Sequence, residues 1–381
     1  MPSADINLLL AGERLDAAVL TLLSRVEVRE SDSDPTVLAL RFTIKQLPTG
    51  DLSPIDDPCF EPGAELALEL AAPGGLLQRL FQGYVTHVRP HLEPITSNSY
   101  LEVLAMDPAV VLDAHERVAT YPDSTDADAA AEILGRYNLQ LDSEDTAARH
   151  EQDRMLLVQH GSDWQFLKRL ARRNGLRVFF EYDPDQGAMV CSFKKPNIEG
   201  EAQADLVILQ DDGNLSWVDI QQVMTGPVKT LGVAIDPIAK RLVRGEGEIA
   251  LGDLGESSAA DAIEAALTGA GAEGAARLMR DPFPLDTAIN AASTAATDAA
   301  RFVIELRGEL NPALYRGLLR ARRPALIRGV GRRFSGMYYV QSVRTTLADG
   351  ALSQSFVAVR NATGQTGAEG FGQSAEEVPP Q

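Results

Sequence analysis

The clearest structural signal in the sequence is one segment, Gln159-His160-Gly161-Ser162-Asp163-Trp164-Gln165-Phe166-Leu167-Lys168-Arg169-Leu170-Ala171-Arg172-Arg173-Asn174-Gly175-Leu176. It predicts a capped helix. Ser162 is a typical N-cap residue, Asp163 lies in the first turn near the positive end of the helix dipole, and Gly175 follows the C-terminus. The apolar stripe of this helix comprises Trp164, Leu167, Leu170 and Ala171, which predicts one buried face.

The surroundings of this helix mix helical and strand patterns. The Ala-rich stretch from Ala127 to Tyr137 has apolar residues at helical spacing and predicts a second helix after the loop at 121–126. Downstream, Leu176 to Tyr182 and Ala188 to Phe193 alternate as strands around the turn 183–187, which predicts a hairpin. Residues 109–205 are therefore expected to form a helix-containing α/β insert.

The first hundred residues have the period-two pattern of β-strands. Leu38, Leu40, Phe42 and Ile44 would line one strand face, and residues 66–70 repeat the pattern after the turn at Pro62-Gly63. About five or six short strands favour an antiparallel barrel or sandwich over residues 1–108.

β-type patterning returns in two later segments, 206–250 and 310–362, with an Ala-rich segment, 251–309, between them. The stretch 269–274 is expected to be a flexible insertion because it is rich in small residues. A helix capped by Asp286 is expected to carry a narrow apolar stripe: Ile289, Ala292, Ala296, Ala299, Val303 and Leu306. Such a stripe allows close helix packing, either within the chain or between subunits. Residues 363–381 are expected to form a flexible tail.

Composition excludes several classes of protein. The 381 residues carry 54 acidic and 35 basic side chains, a formal net charge of -19, which argues against specific nucleic-acid binding. Arginine dominates the basic residues, which fits protein interfaces or a GC-rich genome. Two cysteines, Cys59 and Cys191, do not make a disulfide framework or a metal knuckle. We expect neither a signal peptide nor membrane insertion.

The search for catalytic chemistry gives weak candidates. His160, Ser162 and Asp163 are the residue types of a hydrolase triad, but adjacency is not triad geometry, and Ser162 is better explained as a helix cap. The glycine-rich segment 329–336 precedes a strand rather than a helix, so a hairpin turn carrying arginines is expected there, not a phosphate-binding loop. We predict no catalytic, cofactor-binding or metal-binding residues.

Several segments, read in order, resemble one family: the late control D and VgrG-type baseplate hub proteins of contractile phage tails and contractile injection systems. The 159–176 segment is similar to the family pattern Q-x-x-x-S-D-W-x-F-L-x-R-L-A-x-x-x-G, and 329–345 is similar to G-x-G-x-x-F-S-G-x-Y-x-V-x-x-V. The residues that the resemblance marks as structural are Ser162, Asp163, Trp164, Phe166, Leu167, Leu170, Gly175, Gly331, Phe334, Ser335, Gly336, Tyr338 and Val340.

The resemblance implies a mainly β, α+β fold. Two tube-like antiparallel β-barrels, 1–108 and the discontinuous 206–250 plus 310–362, would carry the α/β insert 109–205 and the Ala-rich helical insert 251–309. The family's internal pseudo-symmetry of the two barrels is not visible in the sequence.

The implied function is structural rather than enzymatic. Three copies would form a homotrimeric ring that adapts a hexameric inner tube to a threefold spike, with other baseplate proteins as further partners. No oligonucleotide-fold or β-helix domain follows residue 362, so the spike is expected to be a separate protein. The ring would assemble in the cytoplasm and then reside in a tail or tail-like particle. A Ser/His/Asp hydrolase and a distal-tail protein of a non-contractile phage are the alternatives.

Overall fold

The N-terminal β-region follows the alternation of the sequence. The computed structural model describes residues 5–56, 60–72, 75–224, 229–236, 238–272, 274, 276–280 and 285–365. The first elements are β1 (Ile6–Leu10), β2 (Glu13–Arg14), α1 (Ala17–Leu20), β3 (Leu23–Ser31), β4 (Val37–Thr43), β5 (Lys45–Gln46), β6 (Leu52–Ser53), β7 (Glu65–Leu70), β8 (Gln78–His91) and β9 (Tyr100–Met106). Leu38, Leu40 and Phe42 are buried in one core, as predicted. Cys59 lies outside the described residues.

The α/β insert has a core of its own. Its elements are α2 (Ala109–Asp113), β10 (Glu116–Tyr121), β11 (Ser124–Thr125), α3 (Asp126–Arg136), β12 (Gln140–Ser143), β13 (Arg149–His150), β14 (Leu157–Ser162), α4 (Asp163–Arg173), β15 (Arg177–Asp183) and β16 (Ala188–Lys194). Both predicted helices and the predicted hairpin β15–β16 are confirmed. Thr125 begins α3 with a capping box that includes Asp128. Helices and hairpin pack in one hydrophobic cluster.

The remaining elements return to β-structure. They are β17 (Gln203–Val207), β18 (Leu215–Gln222), β19 (Thr230–Asp236), β20 (Arg241–Glu246), β21 (Ser257–Ser258), α5 (Ala259–Gly269), β22 (Arg277–Arg280), α6 (Asp286–Arg301), β23 (Ile304–Leu310), β24 (Arg323–Arg328), α7 (Gly331–Phe334), β25 (Gly336–Ala348), β26 (Ala351–Arg360) and β27 (Ala362–Thr363). The segment predicted to be flexible, 269–274, begins at the last residue of α5, and residues 269–272 and 274 of it are described. Of the predicted tail, residues 366–381 lie outside the described residues.

Helix α6 corrects part of the sequence prediction. It begins at Asp286, with Leu285 rather than Asp286 as N-cap, and ends at Arg301, so Val303 and Leu306 are not helical. Leu306 belongs to β23, because the apolar residues there also repeat at a spacing of two.

The small residues of α6 do allow close packing, and the packing is within the chain. A Cβ added to Gly232 or Gly245 would overlap Ile289, and one added to Gly247 would overlap Thr297. These three glycines therefore let the sheet of β19 and β20 approach α6 closely. Of the predicted stripe, Ile289 and Ala292 are buried within the chain, whereas Ala296 is half-buried and Ala299 is exposed, so the predicted stripe is wrong at Ala299.

Thirteen strands of the described residues form one large sheet. Its order is β18-β23-β26-β25-β3-β4-β9-β8-β7-β1-β2, with β24 pairing β25 and β17 pairing β24. The predicted mainly β fold with α/β insertions is confirmed. Strands β19 and β20, from the range 206–250, pair with β22 in a separate sheet. The domain boundaries as a set stay a prediction.

The two β-regions repeat the same strand order. The N-terminal region runs β1-β7-β8-β9-β4-β3, and the second runs β17-β24-β25-β26-β23-β18. Numbered within each region, both orders are 1-4-5-6-3-2. One difference separates them: β1 pairs β7 antiparallel, whereas β17 pairs β24 in parallel.

The fifth strands of the two regions align residue by residue. The register of β8 shifts between Val85 and His87 against β9, and that of β25 shifts between Val340 and Ser342 against β26. Aligned on these bulges, Tyr84 to Arg89 matches Tyr339 to Arg344, and both read Y-V-x-x-V-R. The chain therefore contains an internal repeat.

Candidate assembly surface

The α4 motif has the caps that its sequence predicts. The hydroxyl oxygen of Ser162 accepts a hydrogen bond from the Gln165 backbone N–H at 3.1 Å. At the other end Gly175 has a φ of +70°, and the Leu176 N–H donates to the Ala171 carbonyl at 2.9 Å. This left-handed glycine closes the helix in the manner of a Schellman motif.

Asp163 is fully buried and is held by the polar groups around it. The Tyr137 hydroxyl donates to its carboxylate at 2.6 Å, and Gln159 Nε2 donates at 2.7 Å. The guanidinium groups of Arg117 and Arg136 lie at 3.4 and 3.5 Å. Burial, together with the neighbouring Asp163 carboxylate, raises the pKa of the Tyr137 phenol. The motif aspartate therefore has a structural role in the insert core.

The apolar motif residues form the centre of that core. Trp164, Phe166, Leu167 and Leu170 are all buried, and the Trp164 ring stacks on Phe180 with 6.1 Å between centroids.

The motif glycine lies where the two inserts meet. A Cβ on Gly175 would lie 3.3 Å from the Ala295 Cβ of α6. The C-terminal end of α4 thus also contacts α6, the helix of the second insert.

Ser162 has the environment of a structural residue. Its hydroxyl, which caps α4, donates to the Asp113 carboxylate rather than to His160. His160 is exposed on β14, and Asp163 faces the core. The three candidate triad residues therefore point in different directions, and the geometry does not make a nucleophile of Ser162.

The second motif forms the hairpin that joins β24 to β25, as predicted. Gly329 and Gly331 have φ of +84° and +80°, and a Cβ on Gly329 would overlap the Ile208 carbonyl. The short helix α7 lies between the two strands. Strand β25 then places Tyr338 and Val340 in the core of the second β-region.

Arg360 organises the end of this motif, although the sequence did not single it out. Its guanidinium is fully buried and donates to the carbonyls of Ser335 at 3.0 Å and Leu254 at 2.9 Å. It lies over the Tyr338 ring, whose hydroxyl donates to the Phe334 carbonyl at 2.7 Å. Motif residues 334–338 therefore surround the buried guanidinium of Arg360, whose N–H groups donate to backbone carbonyls.

Three arginines before and within β24 connect the second β-region to the N-terminal β-region and to the α/β insert. Arg320 pairs with Glu30 of β3 at 2.8 Å, and Arg323 pairs with Glu181 of β15 at 2.7 Å. Burial alone would raise the pKa of Glu181, but the adjacent guanidinium groups of Arg320 and Arg323 hold it below its usual value.

Arg322 contacts both the N-terminal β-region and the α/β insert. It donates to the Ser31 carbonyl at 2.8 Å and to the Phe180 carbonyl at 3.3 Å. The arginine-rich composition was the one sequence signal for these contacts.

Two of the open strand edges in the described part of the chain belong to β18 and to the second half of β8. Strand β18 pairs with β23 on one side and with no described strand on the other. The second half of β8, from His87 to His91, pairs with β9, whereas β7 pairs only its first half. Unpaired backbone N–H and C=O groups on such edges are templates for pairing with another chain. The repeated Y-V-x-x-V-R sequence is the signal that could have located the β8 edge, whereas β18 contains no such repeat.

Two further features concern sites and membranes. Within the described ranges, no group of three or more His, Cys, Asp or Glu side chains is placed to hold a metal ion. No helix among the described residues is both long and apolar enough to cross a bilayer.

Comparison with solved structures identifies the class of the fold. The 43 kDa tail protein of prophage MuSo2 from Shewanella oneidensis has a TM-score of 0.62 at 12% identity, covering 95% of this chain and all of that one. A tail protein from Neisseria meningitidis has a TM-score of 0.63 at 11% identity, with 94% and 97% coverage.

A third similar structure comes from a secretion system. The E. coli c3393 protein, a type VI secretion component described as similar to the T4 tail proteins gp27 and gp5, has a TM-score of 0.54 at 13% identity. It covers 89% of this chain and 73% of its own. The chain therefore has the fold of these tail proteins.

Sequence comparisons add little to this. The family model of the Alg8 N-terminal domain matches residues 40–208, which is less than half of the chain. This range begins inside β4 and ends just after β17, so it cuts across both β-regions, and it does not assign the chain to a family. No curated protein matches the sequence.

Proposed function

We propose that this protein is the structural hub of a baseplate in a contractile phage tail or contractile injection system. Three copies form a ring of six similar β-regions that adapts a hexameric inner tube to a threefold spike carried by a separate protein. The fold shared with phage tail proteins and with a type VI secretion component supports this role. The ring assembles in the cytoplasm and becomes part of the particle.

The observation that carries the proposal is the β3–β25 ladder. The second strand of the first repeat pairs with the fifth strand of the second repeat over seven residue pairs, from Ser31↔Ser342 to Arg25↔Ala348. If the two repeats are exchanged, the same contact would join the second strand of the second repeat, β18, to the fifth strand of the first repeat, β8. The edges of β18 and β8 that this contact needs are open. Because they lie in different repeats, β18 of one copy can pair with β8 of the next. The same contact then continues around a closed ring.

The internal alignment predicts the register of this intersubunit ladder. The equivalent of Glu30↔Val343 is Gln222↔Val88, and the equivalent of Glu27↔Thr346 is Asp219↔His91. Core-facing residues agree as well: Val218 and Ile220 take the places of the buried Val26 and Val28. Pro90 would be opposite Ile220 and has no backbone N–H to donate. This residue pair would therefore have one hydrogen bond, from the Ile220 N–H to the Pro90 carbonyl.

A disulfide test follows from this register. In the double variant Val88→Cys with Gln222→Cys, the two positions face each other between copies at a separation that a disulfide can bridge. Mild oxidation should give dimers and covalent trimers on a non-reducing gel. Each single variant and the unmodified chain, which retain Cys59 and Cys191, serve as controls. Absence of cross-linked species would refute this register.

A second test asks whether backbone hydrogen bonds from the open edge of β18 hold the ring together. The Val223 N–H donates to the Val303 carbonyl and therefore points toward β23. Successive N–H groups of a strand point to opposite sides, so the Ile220 N–H, three residues earlier, points to the open edge. Ile220→Pro removes that donor without touching the β18–β23 ladder, whereas Ile220→Ala keeps it. Light scattering at micromolar concentration should show trimers for the alanine variant and folded monomers for the proline variant. A chain that is strictly monomeric and binds neither tube nor spike protein would contradict the hub role.

We further propose that the protein is not an enzyme. The Ser162 hydroxyl is already used by the α4 cap and by Asp113. Ser162→Ala should therefore lower stability, and loss of a hydrolytic activity with the fold intact would instead favour the hydrolase alternative.

A further inference from the structure

The small sheet β20-β19-β22 has one covered face and one bare face. Helix α6 covers the face that contains Gly232, Ala234 and Val243. The opposite face presents five aliphatic side chains. These are Leu231, Val233, Ile235, Leu242 and Leu278, and all except the half-buried Val233 are exposed, Ile235 and Leu278 each at 71%. We name these five residues the bare face.

The register makes the bare face continuous. Leu231 is directly opposite Leu278 on β22, and Ile235 is directly opposite Leu242 on β20. Arg244 lies beside Val233 in the same layer. A contiguous apolar surface of this kind on a soluble protein commonly marks a binding site.

The sheet is basic in an otherwise acidic protein. Residues 229–246 and 277–280 contain six Lys or Arg and two Asp or Glu, a balance of +4, against -19 for the whole chain. An apolar surface with basic neighbours favours an occupant that is apolar and acidic.

The C-terminal segment 366–381 has this chemistry. It contains three glutamates and no lysine or arginine, and its apolar side chains include Phe371 and Val378. We infer that this segment docks on the bare face of its own chain, with Val378 against the aliphatic side chains and the neighbouring glutamates beside Arg244.

Chain length permits this docking. Ser258, where β21 ends, pairs with Ala362, three residues before Gln365, and α5 leads from Ser258 toward β22. The eleven residues of α5 span about 17 Å, and the seven residues 270–276 add at most about 25 Å. Val378 is thirteen residues after Gln365. These thirteen residues reach about 45 Å when extended, which exceeds the sum.

Hydrogen exchange of the full-length protein tests the inference. The segment 366–381 should show slowed exchange, and deletion of 366–381 should speed exchange in residues 229–246 and 277–280. Ile235→Asp should abolish the slowed exchange of the segment. Leu209→Asp, at a side chain 89% exposed in the second β-region, is the matched control and should leave it unchanged.

Three results would overturn the inference. One is complete exchange of 366–381 in the shortest labelling time, and another is protection that survives Ile235→Asp. The third is protection that is lost on dilution, which would place the segment on a neighbouring copy. None of these outcomes bears on the hub proposal, since the β8 and β18 edges lie outside this sheet.

Discussion

Val85 and Val340 occupy the same position in the two β-regions. Each is the last residue before a bulge in a long strand, and each carbonyl accepts a hydrogen bond from a backbone N–H just before the fourth strand of its repeat, from Gly63 at 2.8 Å and Arg322 at 2.7 Å. A bulge is a specific irregularity, so its recurrence with the same strand order is strong support for a duplicated unit. One chain therefore supplies two similar elements to the proposed ring.

Gly336→Ala should be strongly destabilising, because two costs add at this position. Gly336 has a φ of +141°, and a Cβ there would overlap the buried guanidinium of Arg360. We expect a loss of about 3 kcal/mol in the free energy of unfolding, measured with urea. Gly331→Ala is the matched control: its φ is +80°, but the space around it is open, so about 1 kcal/mol is expected. Equal losses would show that the Arg360 contact contributes nothing.

Local patterns in the sequence predicted the elements whose burial alternates cleanly. The α4 helix with its Ser162 cap and Gly175 terminus, and the apolar face of β4, were correct because one physical rule decides each. Leu306 was placed in a helix because its spacing of three from Val303 fits a helix, while its spacing of two from Ile304 equally fits a strand. Only the pairing of β23 with β18 and β26 resolves that ambiguity.

Contacts between distant segments were beyond the reach of local patterns. The β3–β25 ladder joins residues about three hundred positions apart, and Arg360 donates to carbonyls of two distant segments, at Leu254 and Ser335. A buried arginine in a strand has no distinctive neighbours in the sequence. The Y-V-x-x-V-R repeat was legible, but six residues become meaningful only once both strands have the same bulge.

Trp164→Ala should destabilise the insert by about 3 to 5 kcal/mol, since a large ring leaves a cavity in the core shared by α4 and β15. Urea unfolding followed by circular dichroism measures the loss. Trp217→Ala is the control on the same residue type: that side chain is 44% exposed and donates one hydrogen bond to Glu309. Its loss should stay below about 1 kcal/mol. A loss at Trp164 no larger than that at Trp217 would contradict the packing of this ring in the insert core.

Asp107 should give the protein an unusual pH response. Burial raises the pKa of its carboxyl to about 6, although the N–H groups of Thr36 and Ala109 donate to it. A folded-state pKa above the unfolded value means that this group's contribution to stability increases as the pH falls through 6.

Between pH 7 and pH 5 the contribution of Asp107 should increase by about 1 kcal/mol. Asp107→Asn cannot titrate, so the difference in unfolding free energy between wild type and variant should change by that amount. Urea unfolding of both proteins at the two pH values measures it. A difference independent of pH would show that Asp107 stays charged throughout.

Two truncations should distinguish the end of the fold from the segment beyond it. The predicted tail began at residue 363, yet Thr363 pairs with Ser257 in the β27–β21 ladder, and the Gly364 carbonyl accepts a hydrogen bond from Arg360. Ending the chain after Ala362 removes one acceptor from a buried guanidinium and should cost about 1 to 3 kcal/mol. Ending it after Gln365 keeps both contacts, so this protein should be more stable than the one that ends after Ala362 by about 1 to 3 kcal/mol. Thermal and urea unfolding of the two truncated proteins would measure this, and equal stability would mean that Arg360 does not depend on the Gly364 carbonyl.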